Sequence, residues 1–200
     1  MFLETTARVA VSEAEWKRQA ERFIELGFHK ELGLSEKDYL DSVPRLTFLQ
    51  DLSQKFDFTV LVETRISVER QCELAGIEYT LDSSKVGDWP DKRYVKPTGP
   101  YIVQLNDGRR TPGYSLDRVT GELEGKRKDE RKATALEGLS LVIAHPGVLD
   151  DFDLVLPGSS HATYDVVKLH KDKDTGKTVM TSNFFAFKAS VPYGIVTSAR

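Results

Sequence analysis

Apolar residues in the first third of the chain recur at helical spacing. In "SEAEWKRQAERFIELG" (residues 12–27), Trp16, Ala20, Phe23 and Ile24 share one face, Ser12 and Glu15 have the spacing of a capping box, and Gly27 supplies a stop. A helix is predicted there. Ser35 and Asp38 open a second, shorter helix in "SEKDYLDSV", which Pro44 ends. A third, "RLTFLQDLSQKF" (45–56), would bury Leu46, Leu49 and Leu52. The pattern then changes: "DFTVLVETR" is β-branched and nearly continuous in apolarity, as in a strand covered on both faces. Ser67 caps a short helix, "VERQCELAG", with Val68, Cys72 and Ala75 on one side and Gly76 as its stop.

Residues 80–100, "TLDSSKVGDWPDKRYVKPTGP", have no sustained period and carry three prolines and two glycines, so a long loop is predicted. "PYIVQLNDG" is the next strand, succeeded by a polar excursion over 109–132. Thr134 and Glu137 form a second capping box ahead of "ALEGLSLVIAH", whose Leu136, Leu139, Val142 and Ile143 would be its buried face. Strands come next in "FDLVLPG", "YDVVKLH", "TVMTSNFFAFKA" and "YGIVTS", with "KDKDTGK" as a hairpin loop. Helices early and strands late predict a single α+β domain over residues 1–200. Its helical N-terminal third (about 12–56) precedes a mixed, mostly antiparallel sheet (about 57–200) with one or two packed helices.

Composition fits an ordinary globular protein: 40% of the 200 residues are hydrophobic and 30% charged. A net charge of -3 argues against nucleic acid as a partner, since phosphate binding draws on clustered Lys and Arg. The basic run "GKRKDERK" also contains acids and no interleaved aromatic residue, and reads as a solvated surface. With one cysteine, Cys72, the chain forms no intrachain disulfide and no cysteine-based zinc site, which suits a reducing compartment and predicts a cytoplasmic location. Cys72 itself reads as a small apolar packing residue. Glu4 stands where a signal peptide would be apolar, and no run approaches the ~18 apolar residues of a membrane span, so no membrane partner is expected.

The stretch that most resembles chemistry is "LPGSSHATYD" (156–165). Gly158-x-Ser160-x-Ala162 is close to the nucleophile elbow of α/β-hydrolases, which would put Ser160 and His161, with His145 or His170, in catalytic roles. An elbow opens into a helix, however, whereas "YDVVKLH" is β-branched and alternating. Ser160 and His161 are adjacent, so in extended chain they point to opposite faces. A polar turn between two strands is the favoured reading. Gly176-Lys177-Thr178 lacks the first glycine of a phosphate loop, and Asp172 with Asp174 lacks the closing glutamate of a calcium loop. The acids of "LDDFD" near His145 and His161 do not have the spacing of a metal site, and neither metal nor cofactor is expected. Trp89, Tyr94 and Tyr101 are candidates for a ligand or partner surface, and Arg109, Arg110 and Lys126 for an anion contact.

The order of "ERFIELGFHKELGLSEKDY", "FTVLVETR", "YIVQLNDG", "TALEGLSLVIAHPGVL", a strand ending "PGSS" and "SNFFAFKASVPYGIVTSA" resembles a bacterial family of cytosolic domains of unknown function. Glu137-Gly138 and Gly158-Ser159 are the clearest matches. The family pattern has arginine after the Gly-Ser, and tryptophans, a cysteine and an Asn-Pro-His run near the C-terminus, where this chain has Ser160, "FFAFK" and "SVPYG". The resemblance implies a fold and no activity. The expected function is a ligand- or protein-binding module without catalysis, binding an unidentified protein or small molecule; the alternative is a hydrolase or transferase with its site at Gly158–His161.

Overall fold

The computed structural model describes residues 2–44, 56–88, 97–111, 114–150, 152–161, 165–184 and 193–199. The helices among them are α1 (Phe2–Glu25), α2 (Phe28–Glu31), α3 (Glu36–Ser42), α4 (Val68–Ala75), α5 (Leu116–Gly125) and α6 (Ala135–Ala144). The strands are β1 (Phe58–Val62), β2 (Glu78–Tyr79), β3 (Val86–Asp88), β4 (Tyr101–Asn106), β5 (Glu130–Lys132), β6 (Asp153–His161), β7 (Asp165–Lys171), β8 (Thr178–Phe184), β9 (Tyr193–Ile195) and β10 (Thr197–Ala199). The class is α+β, with helices first.

Strand pairing departs from the expected single sheet. A four-stranded antiparallel sheet has the order β1-β4-β10-β5, and a second has the order β2-β8-β7-β6-β3, with β9 added parallel to β6. α6 is buried at all ten residues, not on one face alone. It packs against β1, β6 and β7. Its sequence is apolar nearly all round, the mark of a central helix. Around it gather Phe23, Phe28, Val60, Leu61, Leu105, Leu154 and Leu169. Phe23 and Phe28 stack at 4.7 Å across the turn at Gly27, whose φ of 84° is the left-handed conformation that glycine enters without a Cβ clash.

Other expectations need correction. α1 begins at Phe2 and runs through Ser12, so no helix starts there; Glu15 turns instead to Arg18 and Gln19. The predicted loop over 80–100 contains β3, and the excursion over 109–132 contains α5 and β5. Ser115 caps α5, and Val119 and Leu123 beneath it join Val155, Val166 and Ile195 in a smaller core. The third predicted helix, 45–56, lies outside the described residues except for Phe56, which is buried and not helical. Ser35, Ser67 and Thr134 cap α3, α4 and α6 as their spacing predicts.

The Gly-Ser stretch is not a turn between strands. It lies inside β6 as a bulge: Leu156 pairs with Val167, but the next β7 residue, Val166, pairs with Ser160. Pro157, Gly158 and Ser159 fill the gap, and a bulge is where a strand accepts proline, which cannot donate to the ladder. After the bulge β6 takes β3 as its neighbour, Ser159 opposite Asp88 and Ser160 opposite Gly87.

Candidate functional site

The β6 bulge presses against the link between β5 and α6. Gly158 N donates to Ala133 O at 2.9 Å, and a Cβ on Gly158 would lie 2.6 Å from that oxygen. Only glycine lets the strand approach so closely. One residue on, the buried Ser159 Oγ accepts the Ala135 N–H, at the first position of α6, at 2.7 Å and donates to the Asp88 carboxylate. β6 thus caps α6 from outside the helix.

Inside the same helix terminus lies Glu137, fully buried. Its carboxylate accepts Arg131 Nη1 at 3.0 Å, Arg131 Nη2 at 2.5 Å, Tyr101 Oη at 2.8 Å and Thr134 N at 2.8 Å. A carboxylate offers about four lone-pair positions, and four donors occupy them. Gly138 then brings α6 onto β6, since a Cβ there would fall 2.2 Å from a Leu156 methyl. Glu137-Gly138 and Gly158-Ser159 therefore meet across one interface.

The candidate residues from the sequence are spread over the fold. Ser160 is half-buried on β6. The His161 main chain pairs with Val86 and Asp165. His145 is the C-cap of α6, the far end of a ten-residue helix, so about 15 Å separates it from the bulge. His170 stands four residues along β7 from Val166, the partner of Ser160, or about 13 Å away. Burial holds both imidazoles below their ordinary value; Glu15 opposes this at His145, and Lys168 adds to it at His170. His145 Nε2 lies 3.4 Å from Glu15 Oε1, and its ring sits 4.9 Å from that of Phe58.

Tyr101 is half-buried and gives its hydroxyl to Glu137. Trp89 and Tyr94 lie outside the described residues. Arg109 Nε is 2.9 Å from the buried Asp107 carboxylate, and Arg110 Nη2 is 3.2 Å from Asp57. Lys126, exposed, closes α5 through its main-chain N–H. In the hairpin loop Asp172 Oδ1 accepts from Asp174 N, Thr175 N and Thr175 Oγ1, a self-contained turn completed by Gly176 at φ 68°. Among the described residues no group of three or more His, Cys, Asp or Glu is placed to hold a metal ion, and no helix is long and apolar enough to cross a membrane.

Motif reasoning does not single out Arg131, Glu137, Ser159 or Asp88 as site residues. Glu137 is visible as a capping-box residue, but the box does not reveal its arginine. Arg127 and Arg131 lie in the run that reads as solvated surface, yet Arg127 meets Glu130 and Thr197, and Arg131 is only 9% exposed. For Arg131 the signal is the alternation of β5, which sends Glu130 and Arg131 to opposite faces.

No protein-family model, curated protein or solved structure matches the chain.

Proposed function

We propose that the chain is a cytoplasmic binding module for a small molecule or a protein, and that it carries out no catalysis of its own. The observation that supports this most is the state of the α6 N-terminus, where sequence and packing converge. Ser159 is buried and serves as a helix cap, its hydroxyl donating to Asp88, and four donors occupy the Glu137 carboxylate, so both are engaged in holding the helix end. A nucleophile needs a base within hydrogen-bond reach, and His145 and His170 lie more than about ten ångströms from Ser160, given the rise per residue of helix and strand. The buried Cys72 thiol, pushed up to about 12 chiefly by burial, is no nucleophile either.

The binding surface we favour adjoins Asp88. The Ser159 hydroxyl anchors the chain there, immediately before the segment that carries Trp89 and Tyr94. Tyr101 belongs to the body through Glu137. A thermal-shift screen against nucleotides, metal ions and metabolites tests the reading, since a ligand at a hundred times its Kd adds about 2.7 kcal/mol. The expected result is a ligand whose shift is lost in Trp89→Ala or Tyr94→Ala. Turnover of a chromogenic ester or phosphate that disappears in Ser160→Ala or His161→Ala would overturn it in favour of a hydrolase.

A further inference from the structure

The sheet β1-β4-β10-β5 carries a polar cluster on each of its faces, and the two are not alike. On the α6 side Tyr101 and Arg131 give their hydrogen bonds to Glu137. Alternation along β4 and β5 sends Gln104, Asn106 and Glu130 to the opposite face, together with Thr197, the cross-strand partner of Asn106. There the Glu130 carboxylate accepts Asn106 Nδ2 at 3.0 Å, Thr197 Oγ1 at 2.6 Å, Arg127 Nε at 2.8 Å and Arg127 Nη2. Arg127 Nη2 and Asn106 Nδ2 also share the Thr197 hydroxyl, at 3.1 and 3.3 Å. Glu130 and Arg127 balance in charge. The two carboxamides are not satisfied in the same way: Asn106 is 1% exposed and Gln104 5%, yet Asn106 Oδ1 and Gln104 Oε1 are buried and accept no hydrogen bond from the described residues. Turning the Asn106 amide over does not cure this, because its oxygen would then face the Glu130 carboxylate. The two residues stand about 7 Å apart on one face of one strand. Buried polar groups are nearly always paired, so two unmet oxygens side by side point to a partner from outside the chain.

We propose that this face of the sheet is a second binding site, and that it takes a neutral polyol or sugar through Gln104 and Asn106. What is unmet is acceptor capacity, so the ligand must bring donors; the neighbouring charges are balanced, so it need carry none. A carboxylate or phosphate would set its oxygens against two carbonyl oxygens, and an ammonium would meet the Arg127 guanidinium. A hydroxyl fits, because it donates to Asn106 Oδ1 or Gln104 Oε1 and keeps lone pairs for other donors. A vicinal diol matches the whole Gln104 amide, with one O–H for Oε1 and the neighbouring oxygen for Nε2. Arg127, whose side chain is 18% exposed, is the solvent edge of the cluster. The site does not rest on the surface proposed beside Asp88.

NMR titration of the whole chain with glucose and with inositol tests this, with gluconate and glucosamine as the charged counterparts. The side-chain amide resonances of Gln104 and Asn106 are expected to shift saturably with at least one neutral probe, added up to about 100 mM, well past a millimolar Kd. Gln104→Met keeps the size of the side chain and removes the unmet oxygen, so it should fold as stably as the parent while affinity for that probe falls about tenfold or more. Trp89→Ala, which alters the other surface, should leave the titration unchanged. The proposal is overturned by any of three results: no saturable shift with either neutral probe, equal or tighter binding of a charged counterpart, or an affinity that Gln104→Met leaves as it was. If Gln104→Met does not fold, the parent titration decides. Shifts centred on residues 102–106 and 197 support the site, and shifts centred elsewhere or abolished by Trp89→Ala overturn it.

Discussion

The two ends of α6 are held by the same kinds of group, a carboxylate and an arginine, and behave as opposites. At the N-terminus Glu137 is fully buried, satisfied by four hydrogen bonds and paired with an arginine that is only 9% exposed. At the C-terminus Glu15 is 32% exposed, and the group it faces is a half-buried imidazole. Enclosure makes the first a permanent strut. Water and a titratable partner make the second conditional.

Glu137→Ala breaks the strut most directly, because it leaves Arg131 buried without its partner. A loss of about 3–5 kcal/mol is expected in urea unfolding. Replacing Glu15 in the same way exposes its partners to water and should cost about 1 kcal/mol or less. Equal losses would erase the contrast. Gly158→Ala comes next, at about 1–3 kcal/mol, since its Cβ meets the Ala133 and Lys132 carbonyls, which are main chain and yield only by moving β5. Ser159→Ala should cost about 1–2 kcal/mol by leaving the Ala135 N–H without its acceptor.

The pH profile sharpens the other end. Because His145 and His170 are held below their unfolded value near 6.5, the unfolded chain binds more protons just below that pH. Stability contributed by the neutral imidazoles is full above about 6.5, is lost as pH falls toward the lowered values, and levels off beneath them. Urea midpoints measured from pH 8 to 5 should show this slope, and His145→Gln should reduce it to the share carried by His170. The smallest effect is expected at Cys72: buried in the fold, it should react with a thiol reagent only at the rate of unfolding.

Much of this frame is legible where a local rule has a local cause. Ser35, Ser67 and Thr134 each bond an N–H three residues on, and such caps need nothing from the rest of the chain. β1 and β4 carry their apolar run in plain view. α5 is hidden by its own exposed charges, although Ser115, Val119 and Leu123 have the spacing of a capped amphipathic helix. The bulge is not legible, because Gly158 is shaped by Ala133, on another strand's exit. The same holds for the ion pair: Arg131 and Glu137 are close in sequence, but the Tyr101 hydroxyl that joins them on the same carboxylate comes from β4. Splitting of the strands into two sheets also depends on pairings far apart in the chain.

That distance has a consequence for how the molecule comes into being. β9 lies in one sheet and β10 in the other with only Val196 between them, and β10 separates β4 from β5 in the sheet order. Thr197 pairs with Asn106 across a separation of 91 residues. A nascent chain can form its helices as they emerge, but neither sheet has its full complement of strands until residues 193–199 have been made. One short C-terminal segment thus has to be stitched into both sheets through contacts distant in the chain. Slow refolding and sensitivity to changes at Ile195, Val196 and Thr197 should be its kinetic signature.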